Sequence, residues 1–163
     1  MKIGNISKRD LLGGGIFVAI CEAAGALGAY FTTPEVATWY STLVKPEIAP
    51  PNWVFGPVWV TLYALMGIAA WLVWKETNHD ERAREPLMIF FTQLGLNILW
   101  SALFFYQHSP ARAFSELVVL WLAVLLTIWL FKKVSRVAAY LLLPYLLWIT
   151  FAGYLNFFII TLN

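Results

Sequence analysis

Of 163 residues, 61% are apolar and only 12% charged, and a mean hydropathy of +0.71 is far from that of a water-soluble domain. A formal net charge of +2 with no basic tract gives no support to a nucleic-acid surface, and the single Cys21 excludes an internal disulfide. Five windows, roughly 10–31, 51–74, 86–107, 111–132 and 137–160, can each cross a bilayer, which takes about 20 apolar residues.

The expected fold is therefore an all-α integral membrane protein: one domain over 1–163, a bundle of five transmembrane helices with a long outer loop between the first two. The first window runs on through Gly25, Gly28 and Phe31, so it reads as a spanning helix and not a cleaved signal. Lys2, Lys8, Arg9, Lys75, Arg82, Arg84, Lys132, Lys133 and Arg136 all fall on one side of such a bundle, against Lys45 and Arg112 on the other. The positive-inside rule then puts the N-terminus in the cytoplasm and the C-terminus outside. A bacterial inner membrane suits this asymmetry.

The first helix is rich in small residues, and Ala24/Gly28 and Gly25/Ala29 have the spacing that lets helices approach closely in lipid. Packing inside the bundle and a dimer face both fit. Glu22 lies past the middle of the span, where a carboxyl facing lipid is costly, so it faces inward, either in a structural hydrogen bond or lining a polar spot in a cavity. The loop at 32–50 carries Trp39, Tyr40 and Lys45. It reads as an interfacial segment on headgroups or as a lid, with Lys45 offered to an acidic ligand group.

Pro50-Pro51-Asn52-Trp53-Val54-Phe55-Gly56-Pro57-Val58-Trp59 ends that loop and starts the second helix, because prolines suit a first helical turn. Trp59, Tyr63 and Gly67 follow at helical spacing, giving an aromatic strip beside a glycine; Trp71 and Trp74 read as belt residues at the far interface. The turn from Lys75 to Glu85, His79 included, is a solvated linker and no metal site is built on it.

In the third helix Gln93, Asn97 and Ser101 share one face, and polar groups in lipid need partners, so this row faces other helices. His108 reads as interfacial. The fourth helix starts at Pro110, places Glu116 near the outer surface, and is greasy from Leu117 to Phe131, which reads as lipid-facing. In the fifth, Pro144 is tolerable within a span, and Tyr145, Trp148 and Ala152 fall on one face. At about 1.5 Å of rise per residue, Trp59, Tyr63, Asn97, Ser101, Trp148 and Ala152 fall in one layer beneath the long loop. An outward-facing, aromatic-walled cavity is expected there.

These blocks, Trp39-Tyr40…Lys45-Pro46…Pro50 to Trp59, then Gln93…Asn97…Trp100-Ser101…Phe104-Phe105, then Pro144-Tyr145…Trp148…Phe151-Ala152…Leu155-Asn156, resemble the tryptophan-rich sensory protein family, which includes the mitochondrial translocator or peripheral benzodiazepine receptor. The resemblance covers essentially the whole chain. It implies a five-helix bundle, commonly a homodimer, that binds porphyrins and haem, with sterol and benzodiazepine-type ligands in relatives. By position, Trp59 and Trp148 resemble the paired pocket tryptophans, Tyr40 the lid tyrosine, Asn97 with Ser101 the polar wall, and Ala152 a small residue whose replacement would narrow the pocket.

The ligand-binding set expected is thus Tyr40, Lys45, Trp53, Gly56, Trp59, Tyr63, Asn97, Ser101, Tyr145, Trp148 and Ala152, with Glu22 and Glu116 as intramembrane carboxyls. The sterol pattern of animal relatives needs a basic residue after an aromatic one at the end of the last helix. Residues 154–163 hold no Lys or Arg, so a tetrapyrrole is preferred as ligand. No cofactor is required beyond porphyrin or haem as ligand. Three functions remain open: a receptor or sensor for tetrapyrroles that also moves them, light-dependent oxidative degradation of bound porphyrin with Trp59 and Trp148 as the reactive side chains, and a transporter of sterol or other small molecules. No nucleophile–base pair, metal cluster or nucleotide motif supports conventional catalysis.

Overall fold

The computed structural model describes residues 8–77 and 80–163, the side chain of Arg9 apart. Lys2 and His79 therefore lie outside the described residues. Among the described residues seven α-helices build the bundle: α1 (Lys8–Val36), α2 (Trp39–Thr42), α3 (Asn52–Glu76), α4 (Arg84–Ser101), α5 (Pro110–Val134), α6 (Arg136–Leu141) and α7 (Leu143–Leu162). A 3-10 turn, Glu81–Ala83, leads into α4, and a π-helical turn, Ala102–Tyr106, ends it. Five stretches are long and apolar enough to span a membrane: Asp10–Val36, Asn52–Glu76, Glu81–Tyr106, Pro110–Val134 and Arg136–Leu162.

Prolines place the helix boundaries. Pro51 sits at the N-cap of α3 and Pro110 opens α5, positions where a missing N–H costs nothing. Pro144 deprives the Tyr140 carbonyl of its usual donor. The last span accordingly breaks at Leu142, whose N–H bonds Ala139 O at 3.2 Å, and it resumes with Leu146 N–H on Leu142 O at 3.0 Å. Pro34 breaks nothing. The first helix runs five residues beyond the expected end at 31, because Val36 packs against the cluster of Tyr40, Phe104 and Phe105. The expected loop at 32–50 shrinks accordingly, and one-turn α2 occupies part of what remains.

The π turn has no counterpart in the expected third helix. Gln107 N–H reaches back to Ala102 O at 2.9 Å and Ser109 N–H to Leu103 O at 3.1 Å. This widened turn lets two consecutive rings, Phe104 and Phe105, both point inward.

α1 packs against α3 and α4, α4 against α5, α5 against α7, and α3 against α6. The α1–α3 seam is close. A Cβ on Gly67 would lie 2.6 Å from Val18 Cα, and one on Gly25 would lie 2.5 Å from the Tyr63 ring. Trp71 and Trp74 sit against Gly14 and Gly13 of the same seam. They pack within the bundle and remain half-buried at the end of the span. α5 also differs from expectation: Leu120, Val124, Thr127 and Phe131 are buried while Val119, Leu122, Leu126 and Trp129 are exposed, so only one face meets lipid.

The main core, around Met66, Val73, Phe90, Phe131 and Tyr145, fills the half of the bundle toward Lys75, Arg84 and Lys133. A smaller cluster, Tyr40, Phe104, Phe105, Ala113 and Ile159, closes the other end. α3 and α7 meet between them mainly through aromatic rings. That leaves a space.

Candidate functional site

A cavity of about 580 Å³ occupies that space, walled by α1, α3, α4 with its π turn, α5 and α7. Its floor is formed by Glu22, Tyr63, Asn97, Leu120 and Trp148, and its mouth by Val36, Ala37, Tyr40, Asn52, Phe55 and Ile159. From Glu22 to Val36 is 14 residues of continuous helix, roughly 21 Å. The volume and the mostly apolar lining with a few polar groups suit a small-molecule site.

The aromatic wall is built by α3 and α7. Trp59 stacks on Tyr63 at 5.4 Å between centroids and stands perpendicular to Trp148 at 6.5 Å. Phe55 meets Trp148 edge-on at 5.8 Å. Tyr63 seats its ring on Gly25, so α1 is close enough for the tyrosine hydroxyl to reach α4. There it donates a short hydrogen bond to Asn97 Oδ1, and Asn97 Nδ2 donates to Tyr145 Oη at 3.0 Å. Three spans are thereby tied together at the cavity floor. The second polar group is near the mouth: Asn156 donates to Pro110 O at 2.9 Å and accepts a long 3.4 Å bond from Trp100 Nε1.

The segment after α1 forms a lid, and side chains distant in sequence hold it. Tyr40 is buried against Phe104 and Phe105; burial pushes its phenol pKa up, so it is a neutral plug and not an anion at physiological pH. Trp39 stacks on His108 at 4.4 Å, and His108 Nε2 meets Glu35 Oε2 at 2.9 Å. His108 has a left-handed φ of 48°, tolerated by histidine more than by most residues, and these two contacts hold it there. On the opposite edge, Asn163 accepts from Val44 N–H at 3.0 Å and donates to Val44 O at 3.1 Å.

Of the residues singled out from sequence, Tyr40, Gly56, Trp59, Tyr63, Asn97, Ser101, Trp148, Ala152 and Glu22 line this one cavity. Lys45, Trp53, Tyr145 and Glu116 do not. Lys45 Nζ lies 4.6 Å over the Tyr40 ring and bonds Leu43 O at 3.3 Å, so it braces the lid from outside instead of pointing at a ligand. Trp53 is 75% exposed on the outer face of α3, one turn before the cavity wall. Tyr145 is fully buried behind Asn97. Glu116 is buried on α5 with neither carboxyl oxygen bonded to protein. Phe55, Trp100, Phe104 and Asn156 also line the cavity and were not among the expected ligand residues. Trp100 and Phe104 lie one and two turns from Asn97 on its own helix, which was the available signal.

Gly28 faces Ser101 across the floor, and Ala26 and Ala29 line the cavity. Gly13, Gly14, Gly25 and Gly28 thus face other helices of the bundle, while Gly15, Ala19 and Ala23 are exposed. Among the described residues no group of His, Cys, Asp or Glu could hold a metal ion, and Cys21 is buried and free.

The sequence profile of the TspO/MBR family matches residues 17–162. The tryptophan-rich protein TspO of Chlorobaculum tepidum is 41% identical over 96% of this chain and 99% of its own length. That of Archaeoglobus fulgidus is 46% identical over 86% and 90%. The human translocator protein is 41% identical over 80% of this chain and 78% of its own. With five membrane-spanning helices and this match over nearly its full length, the chain is an integral membrane protein that belongs to the TspO/MBR family.

Proposed function

We propose that this protein is a membrane receptor for tetrapyrroles, taking protoporphyrin or haem into the cavity beneath α2. The observation that carries the reading is the wall made by Trp59, Tyr63 and Trp148 within a 580 Å³ space. Aromatic faces stack on a flat macrocycle at centroid distances of about 4.5–7 Å. α3 and α7 meet mainly through these rings, so a flat macrocycle would find aromatic surface on both helices. Relatives carry the names tryptophan-rich sensory protein and translocator protein, and both names fit a protein that takes up a small molecule within the membrane.

The test is a Soret-band titration of the protein in nanodiscs. Trp59→Ala with Trp148→Ala should weaken protoporphyrin binding by a hundredfold or more, from about 1–3 kcal/mol per lost stacking contact. Retention of wild-type affinity by the double variant would refute the site. Light-dependent degradation of the bound porphyrin is the second reading, favoured by the edge-to-face pair of oxidisable indoles in the cavity wall. Illumination of the complex should then give products whose ratio changes in Trp59→Phe and Trp148→Phe.

The basic residues Lys75, Arg84, Lys132, Lys133 and Arg136 gather at the end opposite the lid. By the positive-inside rule we place that end in the cytoplasm, with the cavity opening outward. A homodimer is part of the proposal, as the family resemblance implies.

A further inference from the structure

Among the described residues, Glu22 is the only charged one lining the cavity. It lies at the floor, at the middle of α1, about 21 Å from either end of that helix. The other polar side chains of this layer satisfy each other: Tyr63 bonds Asn97, and Asn97 bonds Tyr145. Glu22 bonds none of them. Its carboxyl has no hydrogen-bond or ion-pair partner among the described residues. A structural role in holding helices together is therefore not available to it.

A lone carboxyl in a low-dielectric, apolar-walled space favours whatever brings a proton or a positive charge to it, and repels an anion. Among the described residues no Lys, Arg or His lines the cavity to offset it. Lys45, the cation expected to meet an acidic ligand group, instead holds Tyr40 and Leu43 O outside the lid. The electrostatics of the site run one way, from an acidic floor to an uncharged mouth at Asn52 and Thr33.

We propose that Glu22 is the specificity residue of the cavity, and that it selects flat aromatic ligands carrying a protonated nitrogen on their buried edge. The nitrogen donates to the Glu22 carboxyl at the floor while the ring system stacks on Trp59, Tyr63 and Trp148. Carboxylates are excluded from the floor, so an acidic ligand enters with its acid groups left at the mouth. The proposal rests on the tetrapyrrole reading only in using the same cavity, and it adds that a macrocycle would bind with its propionates toward α2.

Three tricyclic probes of one shape test this in zwitterionic nanodiscs, with empty nanodiscs subtracted: 9-aminoacridine as cation, acridine as neutral ring and acridine-9-carboxylate as anion. The expected wild-type order is cation, then neutral, then anion, with the cation at least tenfold tighter than the anion. Glu22→Gln, which keeps size and hydrogen-bonding capacity, should bring the cation to the affinity of acridine, and Glu22→Lys should invert the order in favour of the carboxylate. The wild-type order needs no variant to fold. Absence of a cation preference in wild type, or its survival in Glu22→Gln, overturns the proposal. Protoporphyrin is titrated on the same samples. If it binds, and is lost with Trp59→Ala and Trp148→Ala, while the acridines show no charge preference, only the role of Glu22 fails. If the acridine order holds and protoporphyrin does not bind, only the tetrapyrrole reading fails.

Discussion

Asn97 is the residue on which most of the site geometry turns. Its amide accepts from Tyr63 on α3 and donates to Tyr145 on α7, so it fixes the rotamer of one cavity-lining ring and anchors the last span beside Trp148. Asn97→Ala strands two buried phenols. A buried polar group without a partner costs about 1–3 kcal/mol, and the thermal midpoint in detergent should fall accordingly. A midpoint equal to wild type would mean that the three spans are held by packing alone. Gly67 sets the other limit. Its missing Cβ is replaced by Val18 main chain, which cannot rotate away, so Gly67→Ala should destabilise by about 1–3 kcal/mol, the usual cost of overpacking. Gly56→Ala, with open space at its Cβ, should leave the midpoint unchanged. That pairing separates close approach from a generic loss of glycine. The polar row of α4 was legible from its spacing alone, because a helix in lipid can hide amides only against other helices. The tyrosine partners were not, since they come from residues 34 and 48 positions away.

At the scale of elements, the lid is the informative one. Sequence left a segment lying on headgroups and a cover over the cavity both open, because Trp39 and Tyr40 are poorly suited to water in either case, and it could not say what holds the segment. Three attachments do so: Tyr40 on the π turn, Trp39 with His108 and Glu35, and the Asn163 amide on Val44. Each depends on chain folding back over 65 residues or more, and no local pattern records it. The last attachment carries no apolar burial and can be removed by itself. Asn163→Ala should raise amide hydrogen exchange across residues 43–51 severalfold while exchange in α3 and α5 stays at wild-type rates. Unchanged exchange would show that the aromatic contacts alone close the cavity. The π turn was invisible to sequence for a similar reason: Ala102 to Tyr106 has the composition of an ordinary helix, and the widened turn answers to the burial of Phe104 and Phe105. The break at Leu142 was half legible, since Pro144 marked a weakened helix and only the tertiary structure decides whether such a helix kinks.

For the whole molecule, the number of spans followed from hydrophobic length, and the boundaries moved by two residues or fewer except at the end of α1 and the start of the third span, which each moved by five. The cavity's layer was also legible, because depth in a membrane can be counted along a helix. Azimuth was the weaker coordinate: Trp53, Lys45 and Tyr145 stand at plausible depths but point away from the space, and Glu116 does so on α5. Orientation in the membrane is open to a direct check, because Cys21 is buried and leaves the background nearly silent to thiol reagents. Lys133→Cys should react with a membrane-impermeant maleimide only after cells are broken, and Arg112→Cys should react in intact cells. The reverse pattern would put the cavity on the cytoplasmic side.

The central claim, that a tetrapyrrole lies between α3 and α7 against Trp59 and Trp148, is tested most directly by mapping oxidation after brief illumination of the protoporphyrin complex. Oxygen adducts are expected on Trp59 and Trp148 well ahead of the exposed Trp53 and Trp129. Adducts concentrated on Trp53 and Trp129, with Trp59 and Trp148 intact, would contradict it.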